Sequence, residues 1–113
     1  MITIYHNPRC GKSRECVAFI ENSKEQFEIV KYLETPFSHQ NLSELIKKLN
    51  IEPIDLVRTK EKIWIEKFKN NDLSKEEIIT AMVENPILIE RPIAVNGNKA
   101  VIARPFDKIK NIL

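Results

Sequence analysis

Residues 6–14 read His-Asn-Pro-Arg-Cys-Gly-Lys-Ser-Arg, so Cys10 stands among His6, Arg9, Lys12 and Arg14. A free cysteine titrates near ~8.5, and a helix N-terminus or cationic neighbours lower that value. The thiolate is the reactive form, so this setting activates Cys10 as a nucleophile. Unpaired N–H groups and the positive dipole end at a helix start also favour an anion, and the same groups suit an oxyanion substrate. Free cysteine is often a small buried filler. That description suits Cys16, which shares an apolar helix face with Phe19 and Ile20, better than it suits Cys10 in a polar, basic turn.

Other chemistries that this turn brings to mind lack a residue they need. A phosphate-binding nucleotide loop ending in Gly11-Lys12-Ser13 requires an earlier glycine at position 6, which is His. A phosphatase loop requires arginine six residues after its cysteine; Cys10 is followed there by Cys16, and Cys16 by Asn22. His6 and Cys10 make only two metal ligands, with no second cluster to close a site, so no metal is expected. A Cys-x-x-Cys dithiol is missing because its second position is Ser13. On one helix, Cys10 and Cys16 would lie ~9 Å apart along the axis, too far for a disulfide.

The elements around this turn can be read from periodicity. Residues 2–6 alternate and are β-rich, so they predict a strand that Asn7-Pro8 breaks. Helical spacing runs from Gly11 to Asn22, and residues 27–33 predict a second strand, parallel to the first. Leu42, Leu45, Ile46 and Leu49 form an amphipathic stripe. Pro53 opens a short helix through Val57, and Ile63, Trp64, Lys67 and Phe68 suggest another. Ser74 and Glu77 form a capping-box pattern before Ile78, Ala81 and Met82, and Asn85-Pro86 stops that helix. Residues 93–95 and 99–103 flank Asn96-Gly97-Asn98 as a hairpin. Pro105 starts a final helix with Phe106, Ile109 and Leu113 on one face. The order is βαβ, a helical block, then ββα.

At 113 residues the chain is read as one domain. Charged residues make up 30%, and the net charge is +2. The 13 lysines are spread among 16 acids rather than gathered in a basic patch, so direct nucleic-acid binding is not expected. No stretch approaches the ~18–20 apolar residues that span a membrane, and residues 1–10 lack a secretory pattern. Free thiols and no leader make the cytoplasm the expected location.

The phrase Ile-Thr-Ile-Tyr-His-Asn-Pro-x-Cys-Gly-x-Ser-Arg resembles the glutaredoxin-coupled arsenate reductases. Further matching blocks follow in order: residues 33–36, Leu-Glu-Thr-Pro; 56–58, Leu-Val-Arg; 86–93, Pro-Ile-Leu-Ile-Glu-Arg-Pro-Ile; and 103–105, Ala-Arg-Pro. The resemblance implies an α/β, thioredoxin-like βαβ–ββα fold over residues 1–113, with a helical insertion at about 38–85 between the second and third strands. It also implies a cis Arg91–Pro92 bond. Its arginine triad falls on Arg58, Arg91 and Arg104, with Gly11 in the oxyanion-binding set. Arginine offers a charged, planar fork of donors that can clamp a tetrahedral oxyanion bidentately.

The implied activity is arsenate reduction. Cys10 attacks arsenic, glutathione attacks the adduct, and glutaredoxin reduces the mixed disulfide left on Cys10. No tightly bound cofactor is implied, because glutathione is a co-substrate. His6 is expected to help lower the Cys10 pKa. Ser13 is expected either to donate to the thiolate or to cap the helix. Arg9 departs from the family pattern, which has a small residue there, and adds charge beside the nucleophile. The rival readings are a glutathione-dependent thiol oxidoreductase and a regulator like the Spx proteins, which share the fold and bind RNA polymerase. Spx proteins with a redox switch carry a second cysteine where this chain has Ser13.

Overall fold

The computed structural model describes residues 1–113 and divides the chain into two units. The first joins residues 1–35 to 91–113, and the second is residues 36–90. In the first unit, strand β1 (Ile2–His6) buries Ile2, Ile4 and His6, as its alternation predicts. Helix α1 (Gly11–Glu21) follows, then strand β2 (Phe27–Lys31), which pairs parallel to β1 with Ile4 opposite Ile29. Strands β3 (Ile93–Asn96) and β4 (Lys99–Ile102) complete the sheet in the order β2-β1-β3-β4. β3 runs antiparallel to both neighbours, and Gly97, at φ 62°, turns the hairpin where a side chain would be strained. This is the thioredoxin-like βαβ–ββα arrangement, with helical segments between its second and third strands.

One face of the sheet carries the core of this unit. Ile2, Ile4 and Ala94 pack with Cys16 and Ile20 of α1 and with Ala103, Ile109 and Ile112. The C-terminal segment differs from the expected α-helix. Residues Phe106–Ile112 form a 3-10 helix, whose three residues per turn align Phe106, Ile109 and Ile112. Leu113, expected on that face, is 47% exposed. β2 also ends two residues earlier than predicted. The amides of Glu34 and Thr35 both donate to the Lys31 carbonyl and turn the chain, and Tyr32 is buried beyond the strand.

The second unit is helical. In α2 (His39–Leu49), Leu42, Leu45 and Ile46 are buried, Ser38 caps the start, and Asn50 ends the helix at φ 56°. A 3-10 turn (Pro53–Leu56) precedes α3 (Lys62–Lys67), which buries Trp64. The Ser74–Glu77 capping box opens α4 (Lys75–Glu84) as predicted, although Ile79 rather than Ile78 joins Ala81 and Met82 inside. A second 3-10 turn (Pro86–Leu88) has no counterpart in the sequence reading. Val57 and Ile89 form an antiparallel bridge, supported by Arg58 N–H to Leu88 O at 2.7 Å and Glu90 N–H to Leu56 O at 2.9 Å. No helix of the chain is long and apolar enough to cross a membrane.

Candidate active site

Strand β1 delivers His6 and Asn7 to the sheet end, and Pro8 stops the ladder because it has no N–H to donate. The chain then folds on itself. Cys10 N–H donates to Asn7 O at 3.0 Å, and the Asn7 side-chain oxygen accepts from Arg9 N–H at 3.0 Å. Cys10 is the N-cap of α1, with extended backbone at φ −96° and ψ 123°, and its carbonyl accepts the Arg14 amide at 3.0 Å. The Arg14 guanidinium reaches back to the Pro8 carbonyl at 2.9 Å, so both ends of the turn are tied across Cys10.

Ser13 is fully buried beneath this turn. Its Oγ accepts the Asn7 amide at 3.0 Å and lies 2.6 Å from His6 Nδ1. The hydroxyl is therefore engaged by the turn, and the Ser13 backbone amide is what serves the Cys10 sulfur. His6 likewise acts through Ser13. Burial, then Lys31 and Arg14, lower its pKa and favour the neutral ring, so it supplies structure to the turn rather than positive charge to the thiol.

Burial pushes the Cys10 thiol up, but the Ser13 amide, the Arg91 guanidinium and the Lys12 amide together outweigh it, and the net shift is downward. The half-buried thiol is thus accessible and biased toward thiolate. Cys16 is the opposite case: it has no exposure, and burial pushes its thiol up to about 11. Both cysteines are free.

Two arginines distant in sequence come to this sulfur. Arg104 Nη1 lies 3.9 Å from Cys10 Sγ and donates to the Arg91 carbonyl at 3.1 Å. Arg91 is buried, with its guanidinium directed at the thiol. Each precedes a proline through a cis bond; Arg91–Pro92 was anticipated, and Arg104–Pro105 was not. Gly11 opens α1 directly after Cys10, and the only side-chain atom within 4 Å of where a Cβ would sit is Arg14 Nη2, at 3.8 Å.

Arg58 lies in the helical unit, and its guanidinium is held by two carboxylates. Nε donates to Glu61 at 3.1 Å, and Nη1 donates to Glu90 at 3.0 Å. Asn7 and Arg14, which the sequence marks only as a strand breaker and a cationic neighbour of Cys10, are the residues that organise the turn. The Asn-Pro step after a strand was the available signal for Asn7. Nothing in the spacing marked Arg14 as a staple. No group of three or more His, Cys, Asp or Glu is placed to hold a metal ion.

A lowered thiol at a helix start, with two guanidiniums against it, can attack an electrophilic oxyanion centre while its charge is balanced. The family model described as ArsC family matches residues 5–112. An arsenate reductase of Haemophilus influenzae is 42% identical over 114 residues, covering 99% of this chain and 98% of that protein. A protein of Escherichia coli K-12 named only as uncharacterized, YfgD, is also 42% identical, over 99% of this chain and 96% of its own length. A solved structure of an arsenate reductase from Vibrio cholerae superposes with a TM-score of 0.95 at 39% identity, covering 99% of this chain and 97% of that one. Extent and identity together place this chain in the ArsC family.

Proposed function

We propose that the protein is an arsenate reductase that uses Cys10 as its nucleophile and glutathione with glutaredoxin as its reductants. The observation that carries the reading is the contact of Arg104 Nη1 with Cys10 Sγ, beside an Arg91 that favours the thiolate. The named activities of similar proteins from Haemophilus influenzae and Vibrio cholerae support it.

Arg91 and Arg104 hold the arsenate oxygens, and the amides at Gly11, Lys12 and Ser13 face the same anion. The Cys10 thiolate forms an S–As bond, and one arsenate oxygen leaves as water after protonation. Glutathione thiolate then attacks the Cys10 sulfur. The electron pair of the S–As bond stays with arsenic, which departs as arsenite, while the two sulfurs form a mixed disulfide. Thiol–disulfide exchange with glutaredoxin restores Cys10. Ser13 in place of a second turn cysteine, and Cys16 buried in the core, favour an external reductant. A reducing cytoplasm is the compartment that suits such a cycle.

The test is arsenite production with glutathione and glutaredoxin, run beside a thioredoxin-coupled control. Cys10→Ser is expected to abolish turnover, and Cys16→Ser to retain it. Turnover by Cys10→Ser would end the proposal, and turnover coupled to thioredoxin but not glutaredoxin would replace the reductant.

A further inference from the structure

Next to the catalytic turn, the carboxyl ends of β1 and β2 border an open cleft of about 550 Å³. It is lined by His6 and Pro8 from the turn, by Ile29, Val30 and Lys31 of β2, and by Glu34 and Thr35. Clefts at the carboxyl ends of parallel strands are recurrent ligand sites in α/β folds. Lys31 and Glu34 both line this cleft, and no ion pair joins them to each other or to another residue.

Their places are set by the chain. The amides of Glu34 and Thr35 both close onto the Lys31 carbonyl, at 2.9 and 3.0 Å, and the Thr35 hydroxyl bonds the same oxygen at 3.2 Å. Lys31 pairs with His6 across the parallel strands, close enough for its charge to help lower the His6 pKa. Ile29, 37% exposed, adds an apolar wall.

An inorganic oxyanion has no use for the carboxylate of Glu34. A ligand carrying both a carboxylate and an ammonium meets Lys31 and Glu34 with opposite charges. We propose that this cleft binds a zwitterionic thiol peptide, seating its amino-acid head group between Lys31 and Glu34 so that its thiol lies at the Cys10 turn. The inference rests on the proposed use of an external thiol by Cys10 and gives that co-substrate its own subsite, separate from the oxyanion at Arg91 and Arg104.

The test uses S-methylglutathione, which keeps the zwitterion and cannot react. Its binding to the full-length protein is followed by amide chemical shifts and compared with Lys31→Gln, Glu34→Gln and the double variant. Both side chains are exposed, so folding is not at risk. Expected are shifts in β2 and residues 34–35, with about tenfold weaker binding for each single variant, as loss of one charged contact implies. In turnover, the KM for glutathione rises in both variants, while the KM for arsenate and the rate with neutral 2-mercaptoethanol stay within about twofold. Failure of S-methylglutathione to bind, or equal binding by wild type and the double variant, would overturn the subsite. Shifts confined to β3 and β4 would overturn it as well. Binding that follows Lys31 and Glu34 in a protein inactive toward arsenate would keep the subsite and remove only the arsenate assignment.

Discussion

The two cysteines show how little residue type decides alone. They are six positions apart, yet one thiol is shifted down by amides and a guanidinium, and the other is pushed up to about 11 by burial. His6 has a consequence of its own for stability. Its folded-state pKa is lowered, first by burial and then by Lys31 and Arg14. The unfolded chain therefore takes up a proton at this ring before the folded one does. The stabilising contribution is fully present above the unfolded value of 6.5 and is lost as pH falls through the lower folded value. Wild type is expected to lose stability to urea as pH is taken from 7 to 5, and His6→Gln to lose less over the same interval. Equal losses in parallel urea titrations would show that His6 does not carry this term.

At the scale of elements, the catalytic turn is held by the strand before it and the helix after it. The His6–Ser13 contact and the Asn7 amide on Ser13 fasten it from below, and Arg14 to Pro8 O closes it from above. Arg14 is a positioning residue, because it touches the Pro8 carbonyl rather than the sulfur. Arg14→Ala is expected to slow iodoacetamide alkylation of Cys10 at a pH where the thiol is fully ionised, with Arg14→Lys restoring part of the rate. Unchanged alkylation across both variants would reduce Arg14 to a surface cation. In the helical unit, Arg58 bonds Glu61 and Glu90, and the Glu90 amide bonds Leu56, so Arg58 has a structural task there whatever else it does. Its Glu61 partner is a local i,i+3 neighbour, but its sequence block, Leu56-Val57-Arg58, carried no hint of Glu90, which lies 32 residues away.

Across the whole molecule, the sheet unit is sewn from both ends of the chain, with residues 1–35 supplying β1, α1 and β2 and residues 91–113 supplying the rest. Its core depends on the C-terminal 3-10 helix, whose Ile109 is fully buried against Ile2, Ile4 and Cys16. Ile109→Ala is expected to cost about 2–5 kcal/mol of stability, read from urea midpoints. A loss below about 1 kcal/mol would mean that the segment packs only loosely, since surface changes stay within roughly half that.

Local pattern was enough for much of this. Alternation at 2–6, the stripe through Leu42, Leu45 and Ile46, the Ser74 box and the Asn96-Gly97-Asn98 turn each encode an element in neighbouring residues, and each element formed. The placement of Cys10 at a helix start was legible for the same reason, because a helix N-terminus is set by the few residues around it. Patterns failed where register or distance decided. The 3-10 geometry of residues 106–112 replaced Leu113 with Ile112 on the buried face, since three residues per turn and 3.6 differ by a whole position after two turns. By itself the sequence determined a reactive lone thiol in a basic turn and the order of elements that carries it. Only the tertiary structure decided that Arg104, 94 residues from Cys10, reaches its sulfur, and that His6 serves Ser13. It also decided that Lys31 and Glu34 share a cleft unpaired. Those outcomes depend on charge, distance and desolvation, and none of these is a property of neighbours along the chain.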